Sequence, residues 1–311
     1  MEARASFSHP SLSTPAETWY QIHGPLESST RPIIILHGGP GATHTYLTDL
    51  AQFHKDHNRT VIYYDQIGCG NSTRLKERRL DTDFWTVELF IAELNNLIAH
   101  LGVTEFDLLG HSWGGMLGAD YAIRQNQNDE SRGLKRLIIS NSPASMKLWV
   151  TSCDELRALL PRDIDETLEK YEKAQDYDAE PYKAAALEFL ERHMCMARHP
   201  DGVQPFPDPL MKSFGMLEED DTVYFTMNGP SEFTVIGSLK EWSVVGRLEA
   251  VKVPTFVING EFDEARRICV EPFARDIKDA EWVTMEGASH CAHIEKTEEY
   301  CKLVMEWMSR H

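Results

Sequence analysis

This chain contains no Cys-x-x-Cys pair, and its six cysteines, Cys69, Cys153, Cys195, Cys269, Cys291 and Cys301, are scattered over 311 residues. A disulfide framework of the small secreted kind is not expected; reduced thiols in a cytosol-like compartment are. Cysteine and histidine also lack metal-ligand spacing, so neither a metal nor any other cofactor is expected. Positive charge is scarce, with 31 Lys and Arg against 49 Asp and Glu and a net charge of −18. That balance argues against nucleic acid or an anionic membrane as a partner and suits a cationic or small neutral substrate. Apolar runs reach only the length of a strand, so no transmembrane helix is expected. The segment Met1 to Ser6 lacks the apolar core of a signal peptide, which points to a cytoplasmic protein. Asn58-Arg59-Thr60 and Asn71-Ser72-Thr73 then read as accidental sequons. Gly68-x-Gly70 lacks a third glycine and opens no helix, so no dinucleotide site is read there. There is no internal repeat and no low-complexity run. The oligomeric state is not legible.

What is present is a rhythm of buried strands and helices. Pro32 to His37, Thr60 to Tyr64, Phe106 to Leu109, Leu134 to Asn141, Val253 to Asn259 and Trp282 to Met285 are short apolar runs. Helical patterns alternate with them, among them Leu47 to His54, Phe84 to Leu101 and Thr297 to Met308. Alternation of this kind implies an α/β fold with a parallel sheet and right-handed crossovers. Residues 1 to 16, polar and holding Pro10 and Pro15, read as a loose arm, and Thr18 to Ile22 as an edge strand. From 144 to 249 the rhythm stops. Acidic helical patterns replace it, such as Cys153 to Leu160, Asp163 to Lys173 and Pro181 to Met196. The expectation is a core domain of residues 1–143 and 250–311 with a helical cap domain, 144–249, inserted over the strand ends.

Gly110-His111-Ser112-Trp113-Gly114 joins the strand from Phe106 to the helix after Trp113. A strand-to-helix turn this sharp brings neighbouring chain close, so side chains at Gly110 and Gly114 would clash. It stands a hydroxyl clear of the sheet, and Ser112 is the candidate nucleophile. A serine needs a base, and the base an orienting acid. Beyond the insertion, Asp263 and His290 follow strand ends on the sheet edge that carries Ser112. Their order along the chain suits a Ser, Asp, His triad. Glu261 and Glu264 flank Asp263, with helix capping as their plainer reading. His293 follows His290 by three residues and reads as a helix-surface or capping histidine. His37 and His111 read as packed structural histidines. The amides of Gly39, in the Gly-rich loop His37-Gly38-Gly39-Pro40-Gly41, and of Trp113 are the candidate oxyanion donors.

These stretches, with Asp65-Gln66, Gly68-Cys69-Gly70-x-Ser72, Met227-Asn228-Gly229-Pro230-x-Glu232-Phe233, Trp242 behind it, and Gly260 to Glu264, make the chain resemble the proline iminopeptidase family of α/β-hydrolases. The resemblance runs along most of the chain and implies an α/β-hydrolase fold with a helical cap. It implies that Glu232 and Glu264 grip the free N-terminal amine of a short peptide or small-molecule substrate. Two carboxylates in a partly dry pocket suit one ammonium group. The activity expected is that of a serine aminopeptidase or amidase working through an acyl-enzyme. Two other readings stand beside it. One is an esterase, thioesterase or acyl-transferring hydrolase on a small molecule. The other is a non-catalytic binder using the cap pocket. The middle of the insertion, about 150–215, carries no motif that would select a side chain.

Overall fold

The computed structural model describes residues 1–26, 31–125 and 133–311. Its centre is a run of β-branched and aromatic strands that hide both faces. These are β3 (Ile33–Leu36), β4 (Val61–Tyr64), β5 (Phe106–His111), β6 (Leu134–Ser140) and β7 (Thr255–Gly260). With β1 (Glu2–Phe7), β2 (Ala16–His23) and β8 (Glu281–Met285) they form one eight-stranded sheet in the order β1-β2-β4-β3-β5-β6-β7-β8. From β4 to β8 every neighbouring pair is parallel. Helices cover the sheet: the crossovers α1 (Gln52–His57), α2 (Val87–His100), α3 (Trp113–Gln125) and α9 (Arg267–Asp276), and after the last strand α10 (Ala292–Glu295) and α11 (Thr297–Arg310). Helix α2 starts where Thr86 caps it, its side chain accepting from the Leu89 amide, which satisfies one of the free donors of the first turn. The helical pattern at Leu47 to His54 resolves into a 3₁₀ stretch, His44–Ala51, continued by α1.

The N-terminus corrects the expectation of a loose arm. Residues Glu2–Phe7 pair antiparallel with β2, from Glu2 opposite Gln21 to Phe7 opposite Ala16. Ala5 and Phe7 are buried while Glu2, Arg4 and Ser6 face outward. That period of two is a half-buried strand, masked in the sequence by its polar face. Pro10 and Pro15 lie in the turn that follows. Strand β2 is accordingly not an edge: it also pairs antiparallel with β4.

Between β6 and β7 the chain builds α4 (Met146–Arg157), α5 (Arg162–Ala174), α6 (Glu180–His193), α7 (Asp208–Glu219) and α8 (Thr222–Met227). Helix α4 begins before Cys153 and stops at Arg157, ahead of Pro161, because the residue before a proline is pushed out of the helical region. The end of α6 reaches back to the core. The His290 amide donates to the His193 carbonyl at 2.9 Å, and the Cys291 amide to that of Met194 at 2.8 Å. The His193 ring donates from Nδ1 to the Phe262 carbonyl at 2.9 Å. No helix among the described residues is long and apolar enough to cross a membrane.

Candidate active site

The turn from β5 into α3 holds Ser112 at φ +54°, a left-handed backbone that a non-glycine residue rarely adopts. The Ser112 amide donates to the Ser140 carbonyl at 2.9 Å, which ties the turn to β6. A Cβ at Gly110 would lie 2.1 Å from the Gly114 oxygen, and one at Gly114 2.0 Å from the Leu36 oxygen. Glycine is required at both places by contact with backbone that cannot move aside. Trp113 opens α3, so its amide has no acceptor inside the helix. Gly39 and Trp113 both border the cleft above Ser112.

Asp263 and His290 stand at the ends of β7 and β8. The His290 Nδ1–H donates to Asp263 Oδ1 at 2.7 Å, with both side chains almost wholly buried. Asp263 takes three more donors. The Ala265 amide reaches Oδ1 at 2.8 Å, and the Gly260 amide reaches Oδ2 at 3.4 Å. The third is Asn141 Nδ2, 2.7 Å from Oδ2. Asn141 is itself held, since Ser140 Oγ donates to its Oδ1 at 2.7 Å and the Tyr300 hydroxyl to Ser140 Oγ at 2.9 Å. Asn141 escaped sequence reading, although it ends β6 on the same sheet edge as the three candidate residues. Glu261 points elsewhere, accepting from the Gly287 amide at 2.9 Å. His293 departs from expectation. It is buried, 1 % exposed, and its Nε2–H donates to the Tyr46 carbonyl at 3.0 Å. Burial pushes its pKa down to about 3.

Two further carboxylates approach this group. Glu232 Oε1 accepts from the Tyr224 hydroxyl at 3.0 Å, and its backbone oxygen accepts from Trp149 Nε1–H at 2.7 Å. Glu264 is fully buried, and among the described residues neither of its carboxylate oxygens has a hydrogen-bond partner. Its helix-capping reading fails for that reason. Burial raises the Glu264 pKa well above the carboxylate range; His290 opposes this, and Glu232 and Asp263 add to it. Burial also raises Glu232, against His290 and the Tyr224 hydroxyl. For His290 burial acts downward, but Asp263, Glu264 and Glu232 outweigh it and hold the pKa up to about 9.

The cleft above Ser112 is walled by Met116, Pro143, Met146, Trp149 and Leu239, with Asn228 and Glu232 as its polar side. The Trp149 ring stands edge-on to His290 with centroids 5.6 Å apart. Other motif residues support one another and the Trp113 side chain. The Gln66 amide donates to His37 Nε2 at 3.0 Å, its side-chain amide to the His37 carbonyl at 3.1 Å, and Trp113 Nε1–H to Gln66 Oε1 at 2.9 Å. Asp65 accepts from the His44 amide, the His44 ring and Asn71. Among the described residues no group of three or more His, Cys, Asp or Glu is placed to hold a metal ion. The six cysteines are free and buried, and burial raises the Cys69 thiol well above its ordinary pKa. For Cys291, contact with the Cys195 thiol does so first and burial second.

Comparison with known proteins agrees with this architecture. Residues 31–297 match the family model of the alpha/beta hydrolase fold. A proline iminopeptidase of Clostridium botulinum is 32% identical over 295 residues, covering 95% of each chain. The crystal structure of VinJ superposes with a TM-score of 0.90 at 40% identity, covering 99% of this chain and 98% of that one. That of a proline iminopeptidase from Mycobacterium smegmatis gives 0.86 at 41% identity, with the same coverage. With its sheet, its serine turn and its relatives in agreement, the chain belongs to the proline iminopeptidase family of α/β hydrolases.

Proposed function

We propose that this hydrolase is a serine aminopeptidase that releases an N-terminal residue from a peptide or small amide, N-terminal proline being the residue named for its relatives. The carrying observation is Glu264, a buried carboxylate to which no described residue gives a hydrogen bond and on which the charges of Glu232 and His290 act. An isolated buried carboxylate is costly unless a cation completes it. The ammonium of a free N-terminus is such a cation, and it lies next to the carbonyl to be cut. Glu232 and Glu264 act as the anchors, and the helices of 144–249 act as a cap that carries Glu232 to the core.

In this reading Ser112 Oγ attacks the scissile carbonyl carbon while His290 Nε2 takes its proton. Asp263 keeps the other ring nitrogen protonated and the ring oriented. The carbonyl oxygen, now negative, receives the amides of Gly39 and Trp113. Collapse breaks the C–N bond, and the leaving amine takes the proton from His290. Water then repeats the sequence on the acyl-enzyme, freeing the residue and restoring Ser112. The bound ammonium also neutralises the charge that holds His290 protonated, so substrate arrival readies the base.

The test is steady-state hydrolysis of proline, alanine and phenylalanine arylamides, the same compounds N-acetylated, and a neutral aryl ester. Cleavage of free-amine arylamides that acetylation abolishes is the expected result. Cleavage of the ester alone would refute the aminopeptidase reading.

A further inference from the structure

Beneath the oxyanion loop and the serine turn lies a buried cluster: Tyr46, His111 and His293, exposed by 4 %, 2 % and 1 %. The direction of each hydrogen bond in it is fixed by chemistry. His111 Nε2 lies 2.8 Å from the His290 carbonyl oxygen, which can only accept, so Nε2 carries the hydrogen. Burial holds the His111 ring well below its ordinary pKa and therefore neutral, with His293 and His290 acting the same way. Its Nδ1 is then a bare acceptor, and the Tyr46 hydroxyl donates to it at 2.9 Å. That leaves the Tyr46 oxygen to accept, and the Gly38 amide donates to it at 2.8 Å.

The result is one directed line from the Gly38 N–H through Tyr46 and His111 to the backbone of His290. Each end adjoins or belongs to a different part of the proposed chemistry. Gly38 precedes the oxyanion donor Gly39, His111 precedes Ser112, and His290 is the base. No other described side chain bonds both the oxyanion loop and the residue before the serine. We propose that Tyr46, acting through His111, is a positioning residue that holds the Gly39 amide in register with Ser112 and His290. The inference rests on the reading of Ser112, Asp263 and His290 as the reacting groups.

Tyr46 permits a clean test because its ring and backbone are secured independently of its hydroxyl. The ring packs edge-on against His111 and His293, at 5.3 and 5.6 Å between centroids, and its carbonyl accepts from His293. Tyr46→Phe deletes the line and keeps the packing. Loss of a whole oxyanion donor costs about 10²–10³ in kcat, and misplacement by about 1 Å about 10². A loosened but present amide should therefore lower kcat on a free-amine arylamide by about 10- to 100-fold. KM should stay within about twofold. His111→Gln, which offers an acceptor and a donor on one side chain, should retain more kcat than His111→Leu at matched thermal stability. Wild-type kcat in Tyr46→Phe, a loss confined to KM, or equal impairment by Gln and Leu would overturn the proposal. Ser112→Ala is run alongside. If it kept activity, the reading of the catalytic site would fall first and this one with it. If Ser112→Ala is dead while Tyr46→Phe is normal, only the positioning role fails.

Discussion

Replacing Glu264 by Gln should push activity and stability in opposite directions. The side chain is buried, neither carboxylate oxygen has a partner among the described residues, and burial raises its pKa well above the ordinary range. A charge-assisted hydrogen bond contributes about 1.5–3 kcal/mol. Losing the one to a substrate ammonium should lower kcat/KM on free-amine arylamides by about 10- to 150-fold, while a neutral aryl ester is spared. The stability effect carries a sign that can be read against pH. The unfolded chain releases the Glu264 proton near pH 4.3, whereas the folded chain keeps it to higher pH. Over that window the folded state binds more protons, so wild-type stability falls as pH rises, by up to about 1.4 kcal/mol per pH unit. Glutamine does not titrate, so Glu264→Gln should gain on wild type from about pH 4.3 upward and level off above the folded value. Urea midpoints of both proteins without ligand, at half-unit steps from pH 4 to 8, measure this. A stability difference that is flat with pH, or equal losses on amine and ester substrates, would refute the reasoning.

Two other outcomes follow from the same geometry. With a neutral ester, whose own titration cannot interfere, the rising limb of kcat/KM should lie well above the ordinary histidine value, toward about 9, because three carboxylates outweigh burial at His290; Glu264→Gln should move that limb to lower pH, and an unmoved limb would show that Glu264 does not act on the base. Asn141→Ala should lower kcat by about tenfold with little change in KM, because Asp263 Oδ2 keeps only the longer bond from the Gly260 amide; unchanged kcat would make the Asn141 contact purely structural.

Placement that follows from local chain geometry was legible in the sequence. The turn at Ser112 needed only a strand, two small neighbours and a helix, and the position of Asp263 and His290 beyond strand ends needed only the apolar runs that stop before them. The structure brings the latter two to 2.7 Å. Strand β1 was hidden because an antiparallel edge strand has a polar face, and Glu2, Arg4 and Ser6 gave it the look of a tail. His293 looked like a surface histidine because its partner, the Tyr46 carbonyl, is 247 residues away. Asn141 and Tyr46 share that difficulty. Their partners lie 122 and 65 residues distant, and no pattern within one segment announces such a contact. Glu264 is the reverse case. The resemblance marked it as an amine anchor beside a plainer helix-cap reading, and three-dimensional burial with no partner among the described residues removes the cap reading.

The bonds from the end of α6 to the loop bearing His290 limit how this enzyme can be remodelled. One way to seek a new substrate range is to exchange residues 144–249 for the matching segment of a relative. Here residues 193–194 belong to 144–249 by position and to the loops bearing His290 and Phe262 by hydrogen bonding. A transplant cut at the edges of 144–249 would remove part of what steadies His290 and Phe262. A successful chimera would carry this chain's own 193–196 across the junction, as a short internal patch inside foreign helices.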